Sequence, residues 1–206
     1  MYREKSYNTT TSRETLLPIT YIESYKDPAF KKFIHTYKFT KNFNKEYTNA
    51  KHTLSRYVDD ICFNTANRFQ TLFYTCPPST MYAKKEKRED SMRELFISTV
   101  YTHTRIFTIQ TKYLTHTKAQ HLFGSRKHRT SDLHSRYTIS KIFRFKLWCL
   151  YTFLNKKRFS FCIIDDISST GGTLQACRDT LDTCMQHIQR KYPDIFWDIQ
   201  VFSIGH

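Results

Sequence analysis

Glycine and proline are scarce: 4 and 5 of them in 206 residues. A collagen-like chain needs glycine at every third position, and flexible linkers are rich in Gly, Pro or Ser, so both classes are excluded. Long apolar runs are also missing. The most apolar stretch, Ile142 to Leu154, covers about 13 residues and carries Arg144 and Lys146, whereas a bilayer-spanning helix needs roughly 20. Met1 to Arg13 is polar and holds no apolar run of the kind a signal peptide uses. The expected compartment is the cytosol, with no membrane partner.

No two of the six cysteines (Cys62, Cys76, Cys149, Cys162, Cys177, Cys184) have the C-x-x-C spacing of structural zinc sites. Most sit in apolar runs, which suits buried reduced thiols. His116, His121, His128 and His134 follow at spacings of 5, 7 and 6 among Lys and Arg. Those spacings put no pair on one helical turn, and the neighbouring cations repel a metal ion. No directly bound metal is expected.

Aromatics are abundant, with 17 Phe and 14 Tyr. Together with 39% apolar and 25% charged residues, they indicate one folded domain with a sizeable core. Acidic residues are few, 18 against 33 Lys and Arg. Residues 1–150 hold 27 basic and 12 acidic side chains and so the whole excess of +15, while residues 151–206 hold 6 of each. A basic body beside a neutral segment suits an anionic partner, either nucleic acid or a small phosphorylated ligand. The same excess also serves to keep a surface solvated. Charge alone does not choose between them.

Residues 1–17 are patternless and read as a loose terminus, followed by the domain proper over 18–206. Ile19 to Ile22 alternates as a short strand would. Asp27-Pro28 opens a helix with Phe30, Phe33, Ile34 and Tyr37 on one face. A second helical pattern runs from Tyr47 to Ala66. Arg68 to Thr75 reads as a strand stopped by Pro77-Pro78, Arg88 to Val100 as a helix, and Thr104 to Thr111 as a strand. Lys112 to Ser135 is a long polar loop, of the length that covers sites. Phe159 to Ile164 is a strand buried on both faces. Thr173 to Tyr192 is a helix with Leu174, Cys177, Leu181, Met185 and Ile188 on one stripe, and Ile199 to Ile204 is a last strand. Alternating strands and helices predict an α/β domain with a mostly parallel central sheet flanked by helices.

The segment Phe161-Cys162-Ile163-Ile164-Asp165-Asp166-Ile167-Ser168-Ser169-Thr170-Gly171-Gly172-Thr173 concentrates the chemistry. A buried strand delivers two carboxylates to its carboxyl end, a hydroxyl-rich and glycine-rich turn follows, and a helix starts. Ligands bind at the carboxyl ends of parallel strands. Backbone N–H groups around Gly171 and Gly172, at a helix amino terminus, suit a phosphate. Two of the four glycines stand here, where a backbone must approach something closely. Adjacent carboxylates are poor phosphate ligands but good acceptors for vicinal hydroxyls. The segment asks for a ribose carrying a phosphate, although a plain strand–turn–helix with a capping Thr would share the pattern. Asp59-Asp60 is also flanked by apolar residues but lacks the following turn, and reads as helix surface. No P-loop and no G-x-G-x-x-G occurs.

These 13 residues resemble the phosphoribosyl-pyrophosphate motif of type I phosphoribosyltransferases: four apolar residues, two acids, then a phosphate loop ending T-G-G-T. The resemblance implies that family's fold with a small amino-terminal hood. It implies that Asp165 and Asp166 hold the ribose hydroxyls, and that Ser168, Ser169, Thr170, Gly171, Gly172 and Thr173 hold the 5-phosphate. Further similarity is to the ComF branch and spans about residues 19 to 206. Ser24-Tyr25-Lys26-Asp27-Pro28, with Ile34 and Lys38-Phe39, is similar to its opening strand and helix. Thr75-Cys76-Pro77-Pro78-Ser79 stands where that branch has its pyrophosphate loop, which would use Pro78, Ser79 and Thr80. Thr117-Lys118-Ala119-Gln120, with Arg126 and Arg129, looks like its mobile loop, expected over about 112–135.

Three departures stand out. The four-cysteine zinc module of many ComF proteins is absent from this sequence. Lys87-Arg88-Glu89-Asp90 replaces R-G-F-[ND] and so loses Gly and the aromatic. Ser169 occupies the position where some relatives carry an acidic base. The implied activity is transfer of a phosphoribosyl group from phosphoribosyl pyrophosphate, with Mg²⁺, to a nitrogen base. The implied alternative is a non-enzymatic protein of the competence and DNA-uptake kind. Such a protein would bind single-stranded DNA or competence proteins and keep the site for ligand sensing.

Overall fold

The computed structural model describes residues 3–7, 17–23, 26–39, 45, 48–56, 72–77, 108–110, 114–116, 137–167 and 171–205. They form strands β1 (Arg3–Tyr7), β2 (Leu17–Glu23), β3 (Leu72–Thr75), β4 (Thr108–Gln110), β5 (Leu114–His116), β6 (Tyr137–Ile139), β7 (Arg158–Ile167) and β8 (Phe196–Gly205). Helices are α1 (Pro28–Phe39), α2 (Lys141–Leu154) and α3 (Gly172–Lys191), with a further helical run over 48–56. The expected helices at 57–66 and 88–100, with Asp59-Asp60, lie outside the described residues.

The main sheet has six strands in the order β1-β2-β8-β7-β3-β4. Neighbours from β2 to β4 are all parallel, and only β1 runs antiparallel, at the edge. The fold is therefore α/β with a mostly parallel sheet. A separate pair, β5 and β6, is antiparallel.

Two expectations need correction. Residues 3–7, within the stretch expected to be loose, pair with Leu17–Tyr21. An edge strand needs backbone partners more than an apolar pattern, and its charged residues also discourage further pairing. The amino-terminal strands β1 and β2 belong to the central sheet. Finally, β5 falls inside the expected loop at 112–135, because its backbone finds Tyr137–Ile139 as a local antiparallel partner.

Local chemistry explains the helix starts. The Asp27 carboxylate accepts from Ala29 N at 2.8 Å, and Pro28 needs no donor partner in the first turn. Phe30, Ile34 and Tyr37 of α1 are buried as the spacing predicts. Ser140 caps α2 by accepting from Phe143 N at 3.2 Å. Asn155 ends it in a left-handed conformation with φ 47°. Pro193 follows Tyr192, the residue that ends α3.

Every residue from Phe159 to Ile164 is buried, which is why that run lacks polar alternation. Phe159, Phe161 and Ile163 join Phe73, Phe143, Leu147, Leu150, Leu174, Cys177 and Leu181 in one core beneath α2 and α3. Each such side chain contributes about 1.5–3 kcal/mol by leaving water. At the opposite end of the sheet from the motif, Lys157, Asp194 and Tyr151 tie two connections together. Lys157 Nζ lies 2.8 Å from Asp194 Oδ2, and Tyr151 OH donates to Asp194 Oδ1 at 2.9 Å. Among the described residues, no helix is long and apolar enough to cross a membrane.

Candidate functional site

β7 is an interior strand, flanked by β8 and β3, and it carries the acidic pair at its carboxyl end. Asp165 is the Cα partner of Ser203 on β8, and Ile163 is the partner of Thr75, the last residue of β3. Asp165 thus stands two residues beyond the end of β3. There the chain runs on from Thr75 into Cys76-Pro77, the start of the proposed pyrophosphate loop.

The direction of the connections matters here. From β7 the chain moves through α3 to β8, on one side; from β3 it moves to β4, on the other. Adjacent parallel strands whose connections leave in opposite directions define a switch point, where open α/β sheets leave a crevice for ligands. The two strands that the sequence singles out for phosphate chemistry are the two that flank this crevice.

Gly171 sits at the amino end of α3 with φ 71°, where a residue with a Cβ pays a steric penalty. Gly171 is buried and caps α3. Its carbonyl accepts from Gln175 N at 2.8 Å, closing the first helical turn. The amide end of α3 then faces the carboxyl ends of the strands, as anion binding at a helix start requires.

Asp165 is half-buried, and its charge acts on the thiol of Cys177 in α3. Burial pushes the Cys177 thiol well above its ordinary value, and the charges of Asp165 and Cys76 push it the same way. The thiol stays neutral and acts as packing. Cys177 and Cys76 are neighbours of the site that the sequence showed only as a helix stripe and a pre-proline residue. A thiol four residues beyond Thr173, on the buried stripe of α3, was the available signal.

Of the expected site residues, Asp165 and Asp166 stand near the carboxyl end of β7, Gly171 caps α3, and Gly172 and Thr173 open it. Ser168, Ser169, Thr170, Pro78, Ser79, Thr80, Lys118, Gln120, Arg126 and Arg129 lie outside the described residues. So do His121, His128 and His134. Among the described residues, no group of three or more His, Cys, Asp or Glu side chains could hold a metal ion.

No protein-family model, curated protein or solved structure matches the chain.

Proposed function

We propose that the crevice between β3 and β7 binds phosphoribosyl pyrophosphate, and that the protein transfers its phosphoribosyl group to a nitrogen base. The observation that carries this reading is the adjacency of β3 and β7 at the switch point. On this reading the approach to Pro78-Ser79-Thr80 would lie beside the Asp165–Thr173 segment. A ligand with a ribose between two phosphate groups suits such a pair of loops. Asp165 and Asp166 are proposed to accept from the ribose hydroxyls, and the turn from Ser168 to Thr173 to hold the 5-phosphate. The fold of the type I phosphoribosyltransferases belongs to the same proposal.

In the proposed reaction the nitrogen lone pair forms a bond to C1 of the ribose as the C1–O bond to pyrophosphate breaks. Pyrophosphate leaves with both electrons. Cationic groups near the leaving oxygens and exclusion of water lower the barrier. Lys118, Arg126 and Arg129 are the proposed cations.

Mg²⁺ suits this donor set. A magnesium ion that travels with a polyphosphate takes most of its ligands from phosphate and water, with one or two protein carboxylates. Asp165 and Asp166 would bear on the ion through the ribose hydroxyls that they are proposed to hold, not as direct ligands. The ion would neutralise charge on the pyrophosphate.

Calorimetric titration with phosphoribosyl pyrophosphate and Mg²⁺ tests the proposal on the wild type and on Asp165→Asn/Asp166→Asn. Heat from the wild type alone is the expected result. Two folded proteins that both fail to bind would overturn it. Salt-dependent binding of single-stranded DNA by the same samples would then favour the non-enzymatic alternative.

A further inference from the structure

We infer that the outer face of α2 seats a second copy of this chain, with the two α2 helices packed antiparallel about a two-fold axis. α2 turns Phe143, Leu147 and Leu150 inward. Its other side is apolar as well: Ile142 is 68% exposed, Phe145 60%, Trp148 40% and Phe153 70%. A helix that is apolar around its circumference is ordinarily a buried one. The rings also touch each other, with centroids 5.7 Å apart for Phe145 and Trp148 and 5.5 Å for Trp148 and Phe153. They form one continuous patch rather than scattered apolar residues.

The area fits a dimer. Taking roughly 200 Å² for a whole aromatic side chain, Phe145, Trp148 and Phe153 together expose about 340 Å². With Ile142 the patch supplies the apolar centre of an interface that buries about 800 Å² on each partner.

Two features select a second copy as the occupant. The first is the order of side-chain sizes. Ile142, Phe145, Cys149 and Phe153 follow at spacings of 3, 4 and 4 along one outer stripe. Antiparallel packing about a point between Phe145 and Cys149 sets Phe145 of each copy against the small, half-buried Cys149 of the other. Ile142 then meets Phe153. Large faces small at the centre, and each contact occurs twice, as an isologous interface requires.

The second feature is charge. The only charged residues of α2 are Lys141, Arg144 and Lys146, all in its first half; the first turn has no acid and the last turn no base. Cations at the positive end of the helix macrodipole are unfavourable within one copy. Antiparallel packing about that point lays Lys141 alongside the last turn of the other copy, at its carbonyl end, where a cation is favourable. The net charge of +15 on each chain opposes association. Moderate salt screens that long-range repulsion.

Sedimentation equilibrium at about 0.3 M salt, where charges more than roughly 8 Å apart are screened, measures the association. The wild type is expected to dimerise, and Phe145→Glu, a change at an exposed position, to weaken the dimer at least about tenfold with an unchanged circular dichroism spectrum. As an independent check, Phe145→Cys is expected to form a disulfide-linked dimer with native Cys149 under mild oxidation. Adding Cys149→Ser should abolish that dimer. A wild type that stays monomeric and yields no crosslink overturns the inference. So does a monomer that uses Phe145 to bind vesicles of phosphatidylglycerol, or to bind a single-stranded oligonucleotide.

Discussion

Phe73 and Phe161 stack across neighbouring parallel strands, with ring centroids 5.2 Å apart and planes inclined by 23°. They are Cα partners and both are wholly buried. Two residues on from Phe73 is Thr75, and four on from Phe161 is Asp165, so this pair fixes the offset between the two strand ends at the crevice. Phe161→Ala should cost about 3–5 kcal/mol in chemical denaturation, as removal of a buried ring does. A loss under 1 kcal/mol would show that the stack does not hold β3 against β7.

Gly171 offers a sharper probe of the phosphate turn. Gly171→Ala forces a Cβ into a left-handed, buried position and should destabilise the fold by about 1–2 kcal/mol. On the proposed function it should weaken phosphoribosyl pyrophosphate binding by more than the loss of folded protein explains. Calorimetry at a temperature where the variant is fully folded separates the two effects.

Cys177 should be inert while the chain is folded. Its thiol is buried and held above its ordinary value of 9.0 by burial first and by the charges of Asp165 and Cys76 next. Because the folded value is the higher one, its contribution to stability is complete below pH 9. That contribution is lost as the pH rises toward the folded value. Alkylation at pH 8 followed by mass spectrometry should label Cys149, which is half-buried, well before Cys177. Equal rates would contradict the buried placement.

The Tyr151–Asp194–Lys157 cluster predicts opposite behaviour in acid and in alkali. Hydrogen bonds from Lys157 and then Tyr151 hold the Asp194 carboxyl below its ordinary 3.8. Its contribution is present above that value and disappears as the pH falls through the lower folded one. The Asp194 hydrogen bond and charge raise Lys157 above 10.5, so that contribution is present below 10.5 and is lost in stronger alkali. Asp194→Asn should therefore lower the melting temperature at pH 7, and the difference from wild type should shrink as the pH falls below 3.8.

Ser140→Ala removes the acceptor for Phe143 N at the start of α2. A loss of about 1 kcal/mol is the usual cost of an N-cap of this kind. Ser140→Asp should restore most of it, as read by urea denaturation.

Much of the architecture was legible in the residues. The unbroken apolar run at 159–164 announced a strand buried on both faces, since no solvent-facing position interrupts it. Asp27-Pro28 and Tyr192-Pro193 marked helix limits because cap chemistry and proline geometry act within a turn. The motif at 165–173 placed carboxylates, glycines and a helix start in order, because those features are contiguous in the chain.

Other features had no local signature. Pairing of residues 3–7 with β2 depends on backbone groups that every sequence carries, so its charged pattern hid the strand. The apolar run at 142–154 gave no sign of which side would meet the core, because aromatics stand on both sides of the helix. Sequence by itself determined which residues form the acid–glycine segment, the buried strand before it and the helix after it, through short-range sterics and patterning; the helix at Lys141–Leu154 was not among its readings. Only tertiary structure decided that β3 and β7 are neighbours whose connections diverge, and that Phe145, Trp148 and Phe153 face outward. Strand order and burial are set by which distant surfaces exclude water together, and no short stretch of chain contains that information.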